Sequence, residues 1–350
     1  MKEYIILVSI FFFLSGCICE KKEKREKDLE QIPQVYFKEE IEEKPEEVKE
    51  EIPEKIEETE IEKEEVELKK NLKPEIKDQV AILPKEEKLI SKKEKKFEEP
   101  LPEIYLKKWD GECLIYNLKW NLMNFGNAIV ICLEEKESFH LTGISIPTGL
   151  PAQIGYGYNR IDSFIDKKTG KTKYFYLYTK TGGKEKITEI FFDWNAKQYT
   201  CIEKKYKNKK LYSTKRNIIK FKEDIFDSLS IFYFLRNTNL ENIQNTEFPI
   251  ALPEKWYLKI NFKGRKIKRL PNLGEKEVFI VEPVARSKRE RFKDGRMDIW
   301  ITTDERNPVY FEGKVSVGKA TLILSEVQKI DSKTQNDINK IIENFIKQRG

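Results

Sequence analysis

The chain has 350 residues and a formal net charge of +6, from 66 lysine and arginine residues against 60 aspartate and glutamate residues. This length allows one large domain or two small ones. A single histidine, His140, excludes a metal site built on several histidines. Neither a phosphate-binding loop nor a dinucleotide fingerprint occurs in the sequence, so we expect no cofactor.

The first 16 residues have the pattern of a secretory signal peptide. Lys2 precedes an apolar run over residues 4–14, and small residues follow that run. A bilayer-spanning helix needs about 20 apolar residues, so the run is too short to span a membrane. Its length and its flanks are typical of an export signal. We predict that residues 1–16 are a signal peptide and that the protein is exported.

The signal ends in Leu-Ser-Gly-Cys, which resembles the lipobox of bacterial lipoproteins. The resemblance implies cleavage between Gly16 and Cys17 and acylation of Cys17, so that acyl chains hold the protein on a lipid bilayer. In a cell with two membranes, Ile18 stands where an aspartate is associated with retention in the inner membrane. This favours the outer membrane, with the protein facing the periplasm. An uncleaved N-terminal anchor and plain secretion are the alternatives.

Residues 17–100 predict a charged tether, of which Cys17 is the lipidated start. From residue 20 to residue 100 there are 28 acidic and 20 basic residues, with prolines scattered among them. Such a composition buries too little apolar surface to offset the entropy of ordering. We interpret this part of the chain as a disordered spacer between the membrane and the domain that follows.

Residues 101–330 predict one antiparallel β domain. Apolar side chains recur with a period of two from Cys113 to Trp120. Turn-like breaks separate further strand-like runs at intervals of about 8–12 residues. These runs are residues 129–133, 140–146, 159–166, 173–180, 186–193, 198–205, 256–262, 278–283, 297–302, 309–315 and 319–327. The predicted fold class is mostly β, as a curved antiparallel sheet or a half-open β-barrel.

Two helices complete the predicted fold. Asp227 is a typical N-cap, and residues 231–235 are apolar on every side, so we expect an inserted helix that is buried. Arg236 would lie at the negative end of its dipole. Apolar residues at helical spacing predict a C-terminal amphipathic helix within residues 331–350. That helix packs on the sheet or, alternatively, docks to a partner.

A series of motifs runs through the β domain over about residues 109–327. It comprises Asp110-Gly111-Glu112, Trp120, Gly126, residues 160–166, Phe192-Asp193, residues 227–230, Leu235-Arg236 and residues 298–304. In order and spacing these motifs resemble the bacterial DUF3108 family, whose function is unknown. The family often has proline where Ser228 follows the capping aspartate, and serine leaves the helix prediction intact. The resemblance implies an exported β-rich domain, with no activity to carry over.

Cys113 and Cys132 raise the question of a disulfide bond, because an exported protein can keep one. If they lie on paired strands whose turn centres near residues 122–123, they face each other. Only favourable strand pairs bring the two residues close enough to bridge. A disulfide and two buried free thiols are both open interpretations.

The acidic motif residues have structural explanations, and one catalytic alternative exists. Asp162 and Asp304 would form the acid–base pair of a hydrolase if they shared a cleft. Nothing in their spacing brings them together. His140 lies in a predicted strand, and no nucleophile elbow occurs in the sequence. We therefore expect a domain that is not an enzyme, and we expect no metal site.

Three basic clusters lie between the predicted strands, where we expect loops. They are residues 204–210, residues 263–269 and residues 286–291. Solvated loops are the simplest interpretation, but clusters that emerge at one end of the sheet would form an anion-binding rim. The candidates for such a rim are Lys263, Arg265, Lys266, Arg286, Arg289 and Arg291.

These observations predict a membrane-anchored envelope lipoprotein with a non-catalytic β domain. Residues 101–350 contain 45 basic and 31 acidic residues, which favours an anionic partner. Export argues against nucleic acid and leaves a lipid, an anionic glycan or an envelope protein. A curved sheet could also hold an apolar cavity for an amphiphilic ligand. A scaffold that contacts other envelope proteins is the alternative, and an envelope hydrolase is less favoured.

Overall fold

The computed structural model describes residues 105–121, 123–149, 152, 156–243, 246–287, 297–314, 319–331 and 338–349. The predicted signal peptide, Cys17 and the tether lie outside the described residues. Within the part that is described, none of the helices combines the length and apolar character needed to cross a membrane.

The described residues form one antiparallel sheet of fourteen strands, with two α-helices and a short 3-10 helix (Lys107–Trp109) before the first strand. The helix α1 (Ser228–Asn237) lies between β8 and β9, and α2 (Ile338–Arg349) follows β14. The strands are β1 (Glu112–Trp120), β2 (Met123–Glu134), β3 (Ser138–Pro147), β4 (Tyr156–Asp166), β5 (Thr172–Thr181), β6 (Lys184–Asp193), β7 (Gln198–Lys207), β8 (Lys210–Lys220), β9 (Glu247–Ala251), β10 (Lys255–Leu270), β11 (Gly274–Ser287), β12 (Met297–Thr302), β13 (Pro308–Lys314) and β14 (Lys319–Lys329).

The strand order consists of two meanders that meet in the centre of the sheet. It runs from β8 back to β1, continues with β14, which pairs antiparallel with β1, and then runs back to β9. The two edges, β8 and β9, approach each other without pairing as strands among the described residues. Phe226 forms a parallel bridge with Ile250, and the Asn217 side-chain amide donates to the Pro253 carbonyl at 3.2 Å. The predicted antiparallel, half-open β architecture is confirmed.

The inward face of the sheet packs around α1. Leu229 and Tyr233 of the helix join alternate strand residues, such as Leu114 and Phe175, in the larger apolar core. A helix that is apolar on every side must be covered on every side, and a curled sheet provides that cover. The prediction of an inserted, buried helix is confirmed.

The outward face of the first strands is covered by α2. Ile342 and Phe345 pack against Cys113 of β1 and Ile131 of β2 in a second, smaller apolar core. Because successive strand residues point to opposite faces, these strands are apolar on both sides where the two cores flank them. The last helix therefore packs on the sheet.

Two of the basic clusters, residues 204–210 and residues 263–269, lie largely within strands, so the prediction of loops was wrong for them. β10 continues through residues 263–269 because it stays paired with β11 as far as Leu270 and Gly274. Arg286 lies in β11, and residues 204–207 lie in β7. Antiparallel strands keep one face in water, so lysine and arginine side chains do not end them.

The two edge strands, β8 and β9, escaped the sequence prediction. Most side chains of β8 are exposed, and its residues show no buried face with a period of two. β9 has only five residues and contains Pro249, which edge strands tolerate. Edge strands are half-exposed, so the apolar alternation that marks the central strands is weak in them.

Candidate functional site

Asp227 caps α1 and ties the helix to the sheet. One carboxylate oxygen accepts hydrogen bonds from the backbone N–H groups of Leu229 (2.8 Å) and Ser230 (3.0 Å). The other accepts hydrogen bonds from the hydroxyls of Ser163 (2.7 Å) and Thr172 (2.5 Å). The predicted N-cap is confirmed. Both oxygens of the buried carboxylate accept hydrogen bonds from the helix or from the sheet.

Arg236, in the last turn of α1, forms a buried ion pair with Glu112 of β1. Its Nη1 lies 2.5 Å from Glu112 Oε2, and its Nη2 lies 2.7 Å from Glu112 Oε1. Nε donates to the Arg306 carbonyl at 3.0 Å, and the guanidinium lies 3.6 Å from the centre of the Trp109 ring. The sequence analysis placed Arg236 at the negative end of the helix dipole and predicted none of these partners.

His140, Arg160 and Asp162 form a third buried polar network, on the outward face of β3 and β4. Asp162 Oδ1 lies 2.9 Å from His140 Nε2, and Arg160 Nε donates to Asp162 Oδ2 at 2.6 Å. His140 Nδ1 lies 3.0 Å from Glu135 Oε1, and Arg160 Nη1 donates to Asn339 Oδ1 of α2 at 2.8 Å. The network therefore joins the sheet to the C-terminal helix.

The protonation states of this network follow from its geometry. Burial by itself would raise the pKa of the Asp162 carboxyl, but His140 and Arg160 lower it to about 2. Burial opposes the charged form of His140, yet the carboxylates of Asp162 and Glu135 raise the pKa of its ring above the ordinary value. The network is thus held together by charge as well as by hydrogen bonds.

The proposed catalytic pair, Asp162 and Asp304, is not brought together. Asp304 lies in the turn after β12 and accepts a hydrogen bond from Lys276 Nζ at 2.9 Å. That hydrogen bond lowers the pKa of Asp304 to about 2, a value that Asp162 shares. A general acid needs a raised pKa, so these two carboxyls do not have the properties of an acid–base pair.

The disulfide alternative for Cys113 and Cys132 is wrong. Neither thiol forms a disulfide bond, and both are buried, as is that of Cys201. In the observed register Cys113 lies opposite Ile131, while Cys132 lies opposite Glu112. The register is one residue away from the one that a bridge needs, so the two thiols point to opposite faces of the sheet.

The predicted anion-binding residues within the described part of the chain have mostly acidic neighbours. Lys263 Nζ lies 2.6 Å from Asp298 Oδ1, and Arg265 Nε lies 2.8 Å from Glu241 Oε1. Arg286 Nε donates to Glu247 Oε1 at 2.9 Å. Lys266 is exposed, without an ion pair among the residues that the structure describes. Arg289 and Arg291 lie outside the described residues.

The three basic clusters do not share one end of the sheet. In an antiparallel sheet successive connections alternate between the two ends. By this count the β7–β8 turn and the end of β11 at Ser287 share one end, whereas the β10–β11 turn lies at the other. Residues 263–269 run toward that other end, so the predicted rim of all three clusters is wrong.

The β7–β8 hairpin, residues 198–220, is strongly cationic. It contains eight lysine or arginine residues and one glutamate, Glu203. Asn208 and Lys209 form its two-residue turn with φ angles of 49° and 64°, as a type I′ turn requires. Asparagine at the first of these positions is the sequence signal that could have revealed β8.

The basic residues of β8 have one acidic neighbour in the strand register, Glu203 of β7, which lies opposite Lys215. Among the described residues, no ion pair is found for Lys210, Lys215, Arg216 or Lys220. Three large apolar side chains on the same strand are also exposed, namely Leu211 (53% exposed), Tyr212 (60%) and Ile218 (59%). Exposed apolar side chains among cations that form no ion pair in the described part of the chain are typical of an interaction surface. We take the β7–β8 hairpin as the candidate functional site.

The fold and the buried polar networks define an antiparallel β protein in which one open sheet wraps a capped helix. The sequence model described as "Protein of unknown function (DUF3108)" matches residues 115–325, and the chain belongs to this family. The curated proteins that were compared with the chain give no match.

Among solved structures, the chain is similar to a β-barrel-like protein of the domain of unknown function DUF1849 from Brucella abortus. The sequence identity is 8%, the match covers 63% of this chain and 98% of that one, and the TM-score is 0.38.

Proposed function

We propose that the protein is an exported lipoprotein, acylated at Cys17, whose β domain is a non-catalytic module that binds an anionic component of the cell envelope. The binding surface in this proposal is the β7–β8 hairpin. The observation that supports this proposal most directly is the charge of the hairpin, which has eight basic residues and one acidic residue. Its second strand, β8, also has exposed apolar side chains. Such a surface attracts anions over a distance of about 10 Å at moderate ionic strength.

A site on the surface fits this fold better than a site inside the sheet. The inward face packs on α1, and the buried charged groups, Asp227 and Arg236 with Glu112, bind one another or the backbone. Groups that are committed in this way are not available to a ligand. The amphiphilic ligand of the sequence analysis would therefore have to bind outside the sheet, where Leu211 and Ile218 are exposed.

Acylation is tested by growing cells with labelled palmitate. We expect label in the wild-type protein and none in Cys17→Ser, which would leave the membrane fraction. The matched control is Cys19→Ser, which keeps the label because only the first cysteine follows the lipobox-like sequence. Identical labelling and fractionation of wild type and Cys17→Ser would contradict the anchor.

Anion binding is tested with the full chain in detergent, using immobilised heparin and phosphatidylglycerol vesicles as probes. We expect binding that weakens as salt is added. Lys210→Glu with Lys215→Glu should weaken it tenfold or more, whereas Lys266→Glu with Arg269→Glu should change it less than twofold. The two variants carry the same change in net charge, so equal losses would contradict a site on the hairpin.

A scaffold role is the second candidate function, and the position of β8 favours it. An edge strand offers backbone hydrogen-bonding groups to another polypeptide. Crosslinking in cells through a photoreactive residue at position 212 separates the two candidates. Recovery of a protein through a segment without acidic residues supports a scaffold, whereas recovery of a lipid, a glycan or an acidic protein segment supports binding of an anionic component.

A further inference from the structure

β8 is an open edge of the sheet. Among the described strands only β7 pairs with it, over the register from Gln198–Lys220 to Lys207–Lys210. The opposite edge, β9, has its outer side engaged, because Phe226 N–H donates to Pro249 and Ala251 N–H donates to Phe226. The backbone groups of β8 that do not pair with β7 have no such backbone partners among the described residues, and the Asn217 side chain contacts Pro253 beside this edge.

The side chains of β8 restrict which strand could pair with this edge. Lys210, Lys215, Arg216 and Lys220 are its charged residues, and it contains no acidic residue. Lysines on an edge oppose pairing with a second copy of the same strand, since like charges would lie opposite each other. The same lysines attract a strand that carries carboxylates, and this difference gives selectivity.

We propose that β8 binds an extended acidic segment of another envelope protein, which adds to the sheet as a further strand. The proposal rests on the anion-binding function above and names the partner class for that site. Backbone hydrogen bonds along β8 would supply affinity, and carboxylates opposite Lys210 and Lys215, which the register places on one face, would supply specificity. Apolar side chains at alternate positions of the partner would cover Ile218 and Leu211, which are exposed in this structure.

A peptide pair separates strand addition from simple charge attraction. The first peptide alternates valine and glutamate over ten residues, and its twin has the same sequence with alternate backbone nitrogens methylated. Both have the same charge, but only the first can donate a full row of hydrogen bonds. We expect the full chain to bind the first peptide at least tenfold more tightly. Equal affinities would overturn strand addition and leave the anion-binding function intact.

A charge exchange tests the register and the partner class. Lys210→Glu with Lys215→Glu, which alters two residues on one face of β8, should abolish binding of the glutamate peptide and create binding of a valine–lysine peptide. The control, Lys266→Glu with Arg269→Glu, should bind both peptides as the wild type does. Both altered residues of β8 are exposed, so the fold should persist, and circular dichroism checks it.

The other outcomes are also decisive. If phosphatidylglycerol vesicles bind through the hairpin and the peptides do not, the partner is a lipid surface and the strand-addition proposal fails. If heparin, vesicles and peptides all fail to bind, the proposed function itself fails. Strand addition is upheld only when the unmethylated peptide binds and the exchanged charges reverse the preference.

Discussion

Arg236 on α1 and Glu112 on β1 are 124 positions apart in the sequence, and their side chains make two parallel contacts of 2.5 Å and 2.7 Å inside the domain. Both residues belong to the motifs that carried the family resemblance. The Arg236 side chain is completely buried, so its charge has no access to water. The pair therefore connects the C-terminal turn of the inserted helix to the first strand of the sheet.

Removing one member of this pair should be far more costly than replacing both. We expect Glu112→Gln to lower the free energy of unfolding by about 3–5 kcal/mol, because it leaves a buried guanidinium without its counter-ion. The apolar replacement, Glu112→Leu with Arg236→Met, should lose less than either single variant. Guanidinium unfolding measures both effects, and a loss under about 1 kcal/mol in Glu112→Gln would contradict the buried pair.

Asp227→Ala should destabilise the domain more than loss of an ordinary helix cap, which costs about 1 kcal/mol. The carboxylate serves two backbone N–H groups and also the hydroxyls of Ser163 and Thr172, all of them buried. We expect a loss above about 2 kcal/mol in urea unfolding, since each orphaned buried group adds its own cost. Asp227→Asn keeps an acceptor for the helix and should lose less. Equal losses in the two variants would show that the cap geometry is unimportant.

Stability should depend on pH through His140. The pKa of its ring is raised above the ordinary 6.5 in the folded protein, since Asp162 and Glu135 outweigh the opposing effect of burial. A raised pKa adds stability that is fully present below pH 6.5 and is lost as the pH rises through the folded value. The stability difference between wild type and His140→Gln should therefore shrink from pH 6 to pH 9. A constant difference over that range would contradict the charged network.

Asp162 predicts a second pH dependence, in acid. Burial is outweighed by His140 and Arg160, which lower the pKa of Asp162 to about 2 from an unfolded value of 3.8. A lowered pKa adds stability above pH 3.8 that is lost as the pH falls toward 2. Asp162→Asn should flatten the acid limb of the stability curve. If the acid limbs of wild type and variant were parallel, Asp162 would not be the source of the acid dependence of stability.

Cys113, Cys132 and Cys201 should remain reduced, without disulfide bonds, in the purified protein. Burial raises the pKa of Cys132 well above its usual range and that of Cys201 to about 12, so little thiolate forms at neutral pH. We expect maleimide to modify all three after unfolding without reductant, and to modify them slowly in the native protein. A reduced sample is the control. A peptide that contains Cys113 linked to Cys132 would contradict the observed register.

The central strands and the buried helix could be predicted because their signals are local. The alternation of Leu114, Tyr116 and Leu118 marks a buried face, and Asp227 before an apolar run marks a helix start. β8 carried no such signal, because lysine, arginine and exposed apolar residues alternate without a buried face on an edge. The partners of the basic residues were likewise hidden. Arg265 and Glu241, for example, meet only through the fold.

By itself the sequence determined that this chain forms an antiparallel β domain around one inserted helix, since periodicity and capping act over a few residues. Only the tertiary structure decided that Cys113 and Cys132 lie on opposite faces, that Glu112 receives Arg236, and that β8 is left at an edge. A shift of one residue in strand register exchanges the two faces of a sheet. Between β1 and β2 that register depends on an irregularity at Leu118 and Lys119 and on packing against distant segments, which the apolar alternation does not reveal.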